Sequence, residues 1–332
     1  MWLWLLITLS LDSFATPSSN GPATTEEAHV LWQDARQETQ GKEFKEAVPK
    51  LQRLIDRYPS YEGFTEAHFL LGSALLSLGR PSEAQAPLRY YIQALGKTRE
   101  ANRARLRLAE AYLDTRKFQE ALLIALELER QGEAAAPREV ALSGQLFKAQ
   151  ALHGLGHLDK ALKLLETTRT AIHPEEKTLL AQASEVALEL KLSDCSRLPG
   201  PRASQLDEAQ MKNVFERRGT CLSESLMTLR ELLQKGNKKQ IENAARLEKS
   251  SFDSYLKACS SPVFPHDRRS AKEKSQYVAE LMILLRNTCR SALDKNFELL
   301  QSMKDDIPES SLPIRKRVLD GLEKARKEFG SI

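Results

Sequence analysis

Apolar residues recur at steps of three and four along almost the whole chain, which is the spacing of one face of an α-helix. Windows of strict apolar and polar alternation, which would indicate β-strands, do not occur, and aromatic residues make up only 6% of the chain. The pattern therefore predicts an all-α protein.

One arrangement of small and apolar residues occurs four times between residue 28 and about residue 174. It is clearest in FLLGSALLSLGRPSEA (69–84) and LRLAEAYLDTRKFQEA (106–121). Each occurrence ends on an alanine, and a small residue stands twelve positions earlier. The alanines are Ala47, Ala84, Ala121 and Ala161, and the small residues are Ala35, Gly72, Ala109 and Ala149. This periodicity predicts stacked helical hairpins, because one hairpin cannot bury its apolar face alone.

These residues resemble the tetratricopeptide repeat, a pair of antiparallel helices of about 34 residues. The resemblance implies four repeats, a helix at about 179–192 that caps them, and a solenoid over 26–193. Within this class, YPSYEGFTEAHFLLGSALLSLGR (58–80) resembles repeats of bacterial envelope proteins, namely the periplasmic cell-division coordinator type and the outer-membrane assembly lipoprotein type.

The resemblance also implies where a partner binds, because the first helix of each repeat lines the concave face. Its fifth, ninth and twelfth positions point inward. The candidate groove residues at these positions are Trp32, Arg36, Phe69, Ser73, Leu76, Leu106, Glu110, Leu113, Leu146, Gln150 and His153. An apolar row edged by polar groups suits a protein or peptide partner. The alternative is that the apolar members pack between neighbouring helix pairs.

The pattern changes after Asp194, and no further repeat unit can be aligned. Residues 194–332 are predicted to form a separate helical domain. We expect helices at about 206–217, 221–235, 238–259, 270–304 and 313–329. Their apolar stripes predict the core of a helical bundle, and a coiled-coil partner site is the alternative.

All four cysteines lie in this C-terminal part. An even number in an exported chain favours two disulfides, and the wide spacing is unlike a zinc site. Four cysteines allow three connectivities. We favour Cys195 with Cys221 and Cys259 with Cys289, each closing a loop of roughly 25 to 30 residues. A reactive thiol is the competing interpretation.

The first fifteen residues, MWLWLLITLSLDSFA, contain an apolar run too short to span a bilayer and end in small residues suited to cleavage before Thr16. This predicts a signal peptide over 1–15, although no basic residue precedes the apolar run, and hence a secreted or periplasmic protein. Residues 16–25 are expected to form a flexible leader, and no transmembrane segment is expected in the mature chain.

Charge and motifs limit the remaining functions. The net charge is +4, with basic and acidic residues mixed throughout, so no nucleic-acid surface is expected. No catalytic motif, phosphate-binding loop or cofactor signature occurs. His153 and His157 flank a Gly-containing turn, which argues against a shared metal. His266 lies in a proline-broken loop with no evident nucleophile beside it.

Three functional hypotheses follow. The first is a non-catalytic interaction scaffold or adaptor of the bacterial cell envelope. The second is a regulator of cell-wall (peptidoglycan) enzymes, which the cell-division coordinator resemblance implies. The third is an enzyme with its site in the C-terminal helical domain.

Overall fold

The computed structural model describes residues 22–131, 137–196, 208–260, 271–302 and 312–330. These ranges contain helices and no strand. In chain order the helices are α1 (Pro22–Gln40), α2 (Phe44–Arg57), α3 (Phe64–Ser77), α4 (Pro81–Leu95), α5 (Arg99–Asp114), α6 (Phe118–Arg130), α7 (Arg138–Gly154), α8 (Leu158–Ala171), α9 (Lys177–Ser196), α10 (Glu208–Lys235), α11 (Lys238–Ser260), α12 (Ala271–Ser302) and α13 (Leu312–Gly330). The all-α prediction is confirmed.

The predicted signal peptide, most of the predicted leader and His266 lie outside the described residues. The leader does not extend to residue 25 as expected, because α1 already begins at Pro22. Proline suits the first turn of a helix, where its missing N–H has no helical partner in any case.

The chain divides into two compact units, one ending at Ala94 and one beginning at Leu95. The first holds α1 to α4, which are the predicted first two repeats. The second holds the other two predicted repeats together with the C-terminal helices. The predicted domain boundary at residues 193 and 194 stays a prediction.

Two glycines lie where helices approach closely, and one of them, Gly72, belongs to the repeat pattern. In the first compact unit, a Cβ added to Gly72 of α3 would lie 2.5 Å from Cγ of Leu88 on α4. In the second, a Cβ on Gly154 of α7 would lie 2.3 Å from the Phe118 ring of α6. Glycine is therefore required at both places for the helices to reach this separation.

The predicted capping helix is α9, which is longer than expected and belongs to two hydrophobic cores. One face packs with α7 and α8 through Leu179, Val186 and Leu190. Leu188 and Leu192 join the core of the C-terminal helices. That core contains Phe215, Leu226, Phe252, Tyr255 and Leu285, among others. The described C-terminal helices therefore pack directly on the end of the repeat region.

Two C-terminal helices predicted separately, 206–217 and 221–235, form the single helix α10. Gly219, which stands between the two predicted helices, lies within α10, where a Cβ would meet the Cβ of Ala292 at 2.5 Å. Glycine here allows α12 to approach, so it serves packing and not a turn.

Both favoured disulfides are present. Cys195 and Cys221 are bonded with a Cα separation of 5.7 Å, and Cys259 and Cys289 with one of 6.3 Å. The first joins α9 to α10, and the second joins α11 to α12. None of the described cysteines is free, so the reactive-thiol interpretation has no candidate in this structure.

Candidate functional site

Two aromatic residues of the predicted groove lie in the first compact unit and are partly exposed. Trp32 of α1 packs against Gly63, where a Cβ would lie 3.0 Å from Cδ2 of the indole. Phe69 of α3 packs beside Tyr91 of α4, with ring centroids 5.1 Å apart. Both rings are thus held by packing on one side and keep accessible surface for a partner.

The remaining predicted residues of this unit differ in accessibility. Arg36 is exposed, and Ser73 is partly buried with its Oγ lacking a hydrogen-bond partner within the described residues. Leu76 is buried, with 4% of its surface exposed. Leu76 and the buried Ser73 Oγ therefore belong to the interior of the unit, and Trp32, Arg36 and Phe69 stay available to a partner.

In the second compact unit, the apolar members pack between helix pairs, which was the alternative interpretation of the pattern. Leu106 of α5 packs against Leu128 of α6 and Val140 of α7. Leu146 of α7 has no exposed surface and lies in the α7–α9 core. Because a fully buried side chain cannot contact a partner, Leu146 is removed from the candidate groove. Leu113 is partly exposed.

Glu110, the acidic residue of the predicted groove, forms an ion pair with a side chain of the C-terminal helices. Lys239, at the start of α11, places Nζ 2.9 Å from Oε1 of Glu110 and 3.2 Å from Oδ2 of Asp114. Burial would raise the pKa of Glu110, but Lys239 and Arg107 outweigh it and hold that pKa below its usual value. The positive charge of Lys239 therefore compensates the negative charges of Glu110 and Asp114 on α5.

Gln150 and His153 of α7 are likewise engaged by the neighbouring helix α9. The amide of Gln150 donates to Glu189 at 2.9 Å. His153 lies 3.3 Å from the same carboxylate through Nδ1 and 2.8 Å from Ser193 Oγ through Nε2. These polar residues thus fix the packing of α9 on α7.

Within the described ranges, no cluster of three or more His, Cys, Asp or Glu side chains is placed to hold a metal. His157 is exposed at the turn between α7 and α8. The most strongly perturbed carboxyl among these residues is Glu248, which is fully buried in the C-terminal core. The absence of catalysis stays a prediction.

A second concave surface in the first compact unit was missed by the sequence reasoning. It lies between α2, α3 and α4, and its walls include Pro49 and Pro87. Both prolines stand inside helices. Proline in a helix interior removes a hydrogen bond and is disfavoured. These two prolines are therefore the sequence signal from which the surface could have been predicted.

Part of the chain matches a known protein family. Residues 37–92 and 88–138 match the family model of the tetratricopeptide repeat, which covers α2 to α6 and parts of α1 and α7. The repeats inferred from the sequence are confirmed in this region. Such repeats stack into surfaces that bind other proteins.

Solved structures similar to this chain have low sequence identity. A tetratricopeptide repeat protein from Parabacteroides merdae ATCC 43184 is 9% identical, with a TM-score of 0.42, covering 90% of this chain and 99% of its own. The TPR2AB domain of yeast Sti1, in a complex with pHSP90, is 14% identical, with a TM-score of 0.34, covering 79% of this chain and 99% of its own. A search of curated proteins finds no match.

In the described part of the chain, no helix combines the length and apolar character needed to cross a membrane.

Proposed function

We propose that this protein, whose residues 37–138 contain tetratricopeptide repeats, is a non-catalytic scaffold or adaptor that binds a protein or peptide partner. The observation that carries the proposal is the difference between the two halves of the predicted groove. Except for the partly exposed Leu113, its residues in the later repeats are packed or paired within the chain, as Leu146 and Glu110 are. In the first two repeats Trp32, Arg36 and Phe69 keep accessible surface.

The binding surface proposed here consists of Trp32, Arg36 and Phe69. Trp32 and Phe69 occupy the same repeat position on α1 and α3, which contact each other. Aromatic and arginine side chains supply a large share of the binding energy in protein interfaces.

We further propose that the protein acts in the bacterial cell envelope after export. The apolar N-terminal run followed by small residues supports export. Two disulfides also support it, because such bonds persist in oxidising compartments. Regulation of cell-wall enzymes is a narrower form of this role, and the identity of the captured partner decides between the two.

Site-specific photo-crosslinking in intact cells tests the proposal. A photoreactive amino acid at Arg36 reports on the proposed surface, and one at Arg89, an exposed position on α4, is the control. We expect a partner that crosslinks at Arg36 and not at Arg89. Trp32→Ala with Phe69→Ala should reduce binding of that purified partner by about tenfold or more, which is a loss of about 1.4 kcal/mol. Equal crosslinking at both positions would contradict the assignment of the surface.

Export is tested separately by fractionation and by mapping the mature N-terminus. We expect an extracytoplasmic protein beginning at Thr16 with both disulfides formed. A chain that keeps Met1 and four reduced cysteines in the cytoplasm would overturn the localisation.

A further inference from the structure

A cavity of about 840 Å³ lies between α2, α3 and α4 in the first compact unit. Ligand pockets commonly measure about 300 to 1,000 Å³. Trp32, Arg36 and Phe69 do not line it, so it is distinct from the surface proposed above.

The interior of this cavity is apolar and partly aromatic. Leu71 and Leu75 of α3 line it and are each only 4% exposed. The His68 ring stacks on Tyr90 with centroids 4.1 Å apart, and Tyr90 itself is 42% exposed. Both ring nitrogens of His68 are buried without a hydrogen-bond partner in the described residues, and burial lowers its pKa, so His68 is uncharged near neutral pH. A bound apolar group would cover Tyr90 and gain the free energy of burial.

The two walls carry backbone acceptors that have lost their helical donors. Pro49 in α2 and Pro87 in α4 have no N–H, so the carbonyls four residues earlier, at Lys45 and Glu83, lack the usual i to i+4 bond. All four residues line the cavity. A ligand with several N–H donors along its length suits these walls, and an extended peptide main chain has this property.

The charged side chains at the rim of the cavity favour a ligand of one charge. Arg80 is held by Glu83 through two hydrogen bonds of 2.7 and 2.6 Å, so these charges neutralise each other. Lys45 has no ion-pair partner in the described part of the chain and is exposed. One uncompensated positive charge therefore stands at the cavity, and a carboxylate complements it.

From these observations we propose that the cavity between α2, α3 and α4 binds an extended, apolar peptide segment of a partner protein that bears a carboxylate for Lys45. The main-chain N–H groups of the segment meet the carbonyls of Lys45 and Glu83, and its apolar side chains cover Tyr90 and the leucines. This second contact rests on the proposed scaffold function but uses a different surface.

A displayed library of short random peptides, selected on the full-length oxidised protein, tests this proposal. The counter-selection uses Ala86→Trp, which fills the cavity from an exposed lining position. We expect enriched peptides that combine apolar residues with Asp or Glu. A synthetic peptide of the enriched sequence should lose about tenfold or more in affinity when its amides are N-methylated, and by a similar factor on Lys45→Glu.

Arg89→Glu is the matched control, because it makes the same charge change on α4 at an exposed position that does not line the cavity. We expect it to leave the affinity within about twofold, since an exposed charge away from the ligand is screened. Thermal unfolding of each variant checks that the fold is kept.

Three outcomes would overturn the proposal. They are no enrichment over the counter-selection, enrichment of cationic peptides, or sedimentation showing that Ala86→Trp converts a dimer to a monomer, which would make a second copy the occupant. Failure here is distinguishable from failure of the scaffold function. Trp32→Ala with Phe69→Ala should weaken capture of the cellular partner at Arg36 and leave peptide binding in the cavity unchanged.

Discussion

Ser225 Oγ on α10 lies 2.7 Å from Oε1 of Glu248 on α11 and 2.7 Å from the carbonyl oxygen of Leu222. A hydroxyl has one proton and can donate to only one of these oxygens. If Ser225 donates to Leu222, the short contact with Glu248 requires a proton on the carboxyl group. The geometry thus agrees with the pKa of Glu248, which burial raises to about 8 against a weaker opposing effect of the Ser225 hydrogen bond.

This pair predicts a pH dependence of stability. Because the pKa of Glu248 is higher in the folded than in the unfolded chain, its favourable contribution is complete below about pH 4.5 and is lost as the pH rises to about 8. We expect Glu248→Gln to remove this dependence, since an amide stays neutral. Relative to the wild type, the variant should gain on the order of 3 to 5 kcal/mol between pH 4.5 and pH 9.

Urea unfolding of both proteins at several pH values measures this difference. Glu242→Gln, an exposed position on the same helix, is the control and should show no such trend. If the free energy of unfolding varied with pH in the same way for the wild type and Glu248→Gln, Glu248 would be ionised in the folded protein.

The disulfide between Cys259 and Cys289 should stabilise the C-terminal core strongly. Both cysteines are fully buried, and their separation in sequence is 30. The chain-entropy relation gives about 3 to 4 kcal/mol for such a loop. We expect the double replacement by alanine to lower the free energy of unfolding by about this amount in urea titrations under oxidising conditions.

The matching replacement of Cys195 and Cys221 provides the comparison. Its loop is similar, with a separation of 26, so loop closure alone predicts a nearly equal loss. A negligible loss for either pair would mean that the bond adds nothing beyond the packing around it.

Gly72→Ala should destabilise the first compact unit. The added Cβ would lie 2.5 Å from Cγ and 2.8 Å from Cδ2 of Leu88, a side chain with no exposed surface. Because Leu88 has little room to move, we expect a loss of about 1 to 3 kcal/mol. Thermal or urea unfolding measures it.

Gly321→Ala is the matched substitution, since a Cβ there would meet nothing within 4 Å. It lies within α13, where alanine favours the helix by about 0.5 to 1 kcal/mol. A loss at Gly321 equal to that at Gly72 would argue against a close α3–α4 contact as the cause.

The contact between Lys239 and Glu110 should be weak and sensitive to salt. The Lys239 side chain is half exposed, so its ion pairs with Glu110 and Asp114 are screened. We expect Lys239→Ala to cost less than about 1 kcal/mol at low salt and still less at high salt. Lys239→Glu should cost more, because it adds repulsion, and Glu110→Lys in the same chain should recover part of the loss.

Lys238→Ala is the control for this experiment, since Lys238 is exposed and precedes Lys239 directly. The coupling comes from a double-mutant cycle on unfolding free energies. A coupling that does not change with salt would contradict an electrostatic origin.

The helices and disulfides were predictable because both depend on local information. Periodic apolar residues define a helix face, and the small residues Gly72 and Ala84 mark close contact within one repeat. The favoured disulfides each join cysteines that are neighbours along the chain. The prediction divided residues 206–235 into two helices, whereas the structure has one continuous helix over Glu208–Lys235.

The candidate site was less predictable because a pattern identifies a face without identifying what covers it. Lys239 lies more than a hundred residues after Glu110, and no local signal connects them. From the sequence alone, Glu248 would be taken for an exposed charge, because its burial against α10 leaves no local signal. The cavity at Pro49 and Pro87 arises from the space between helices, which periodicity does not describe.

The first cysteine of this chain is bonded to the second, and the third to the fourth. If the chain is oxidised while it emerges with its N-terminal end first, Cys195 and Cys221 meet the oxidant before Cys259 and Cys289. Each native bond can then form with the first available thiol. Thiol reshuffling, which takes seconds to hours, is therefore not needed to reach the native connectivity. Maturation of this protein should accordingly require an oxidant but no disulfide isomerase.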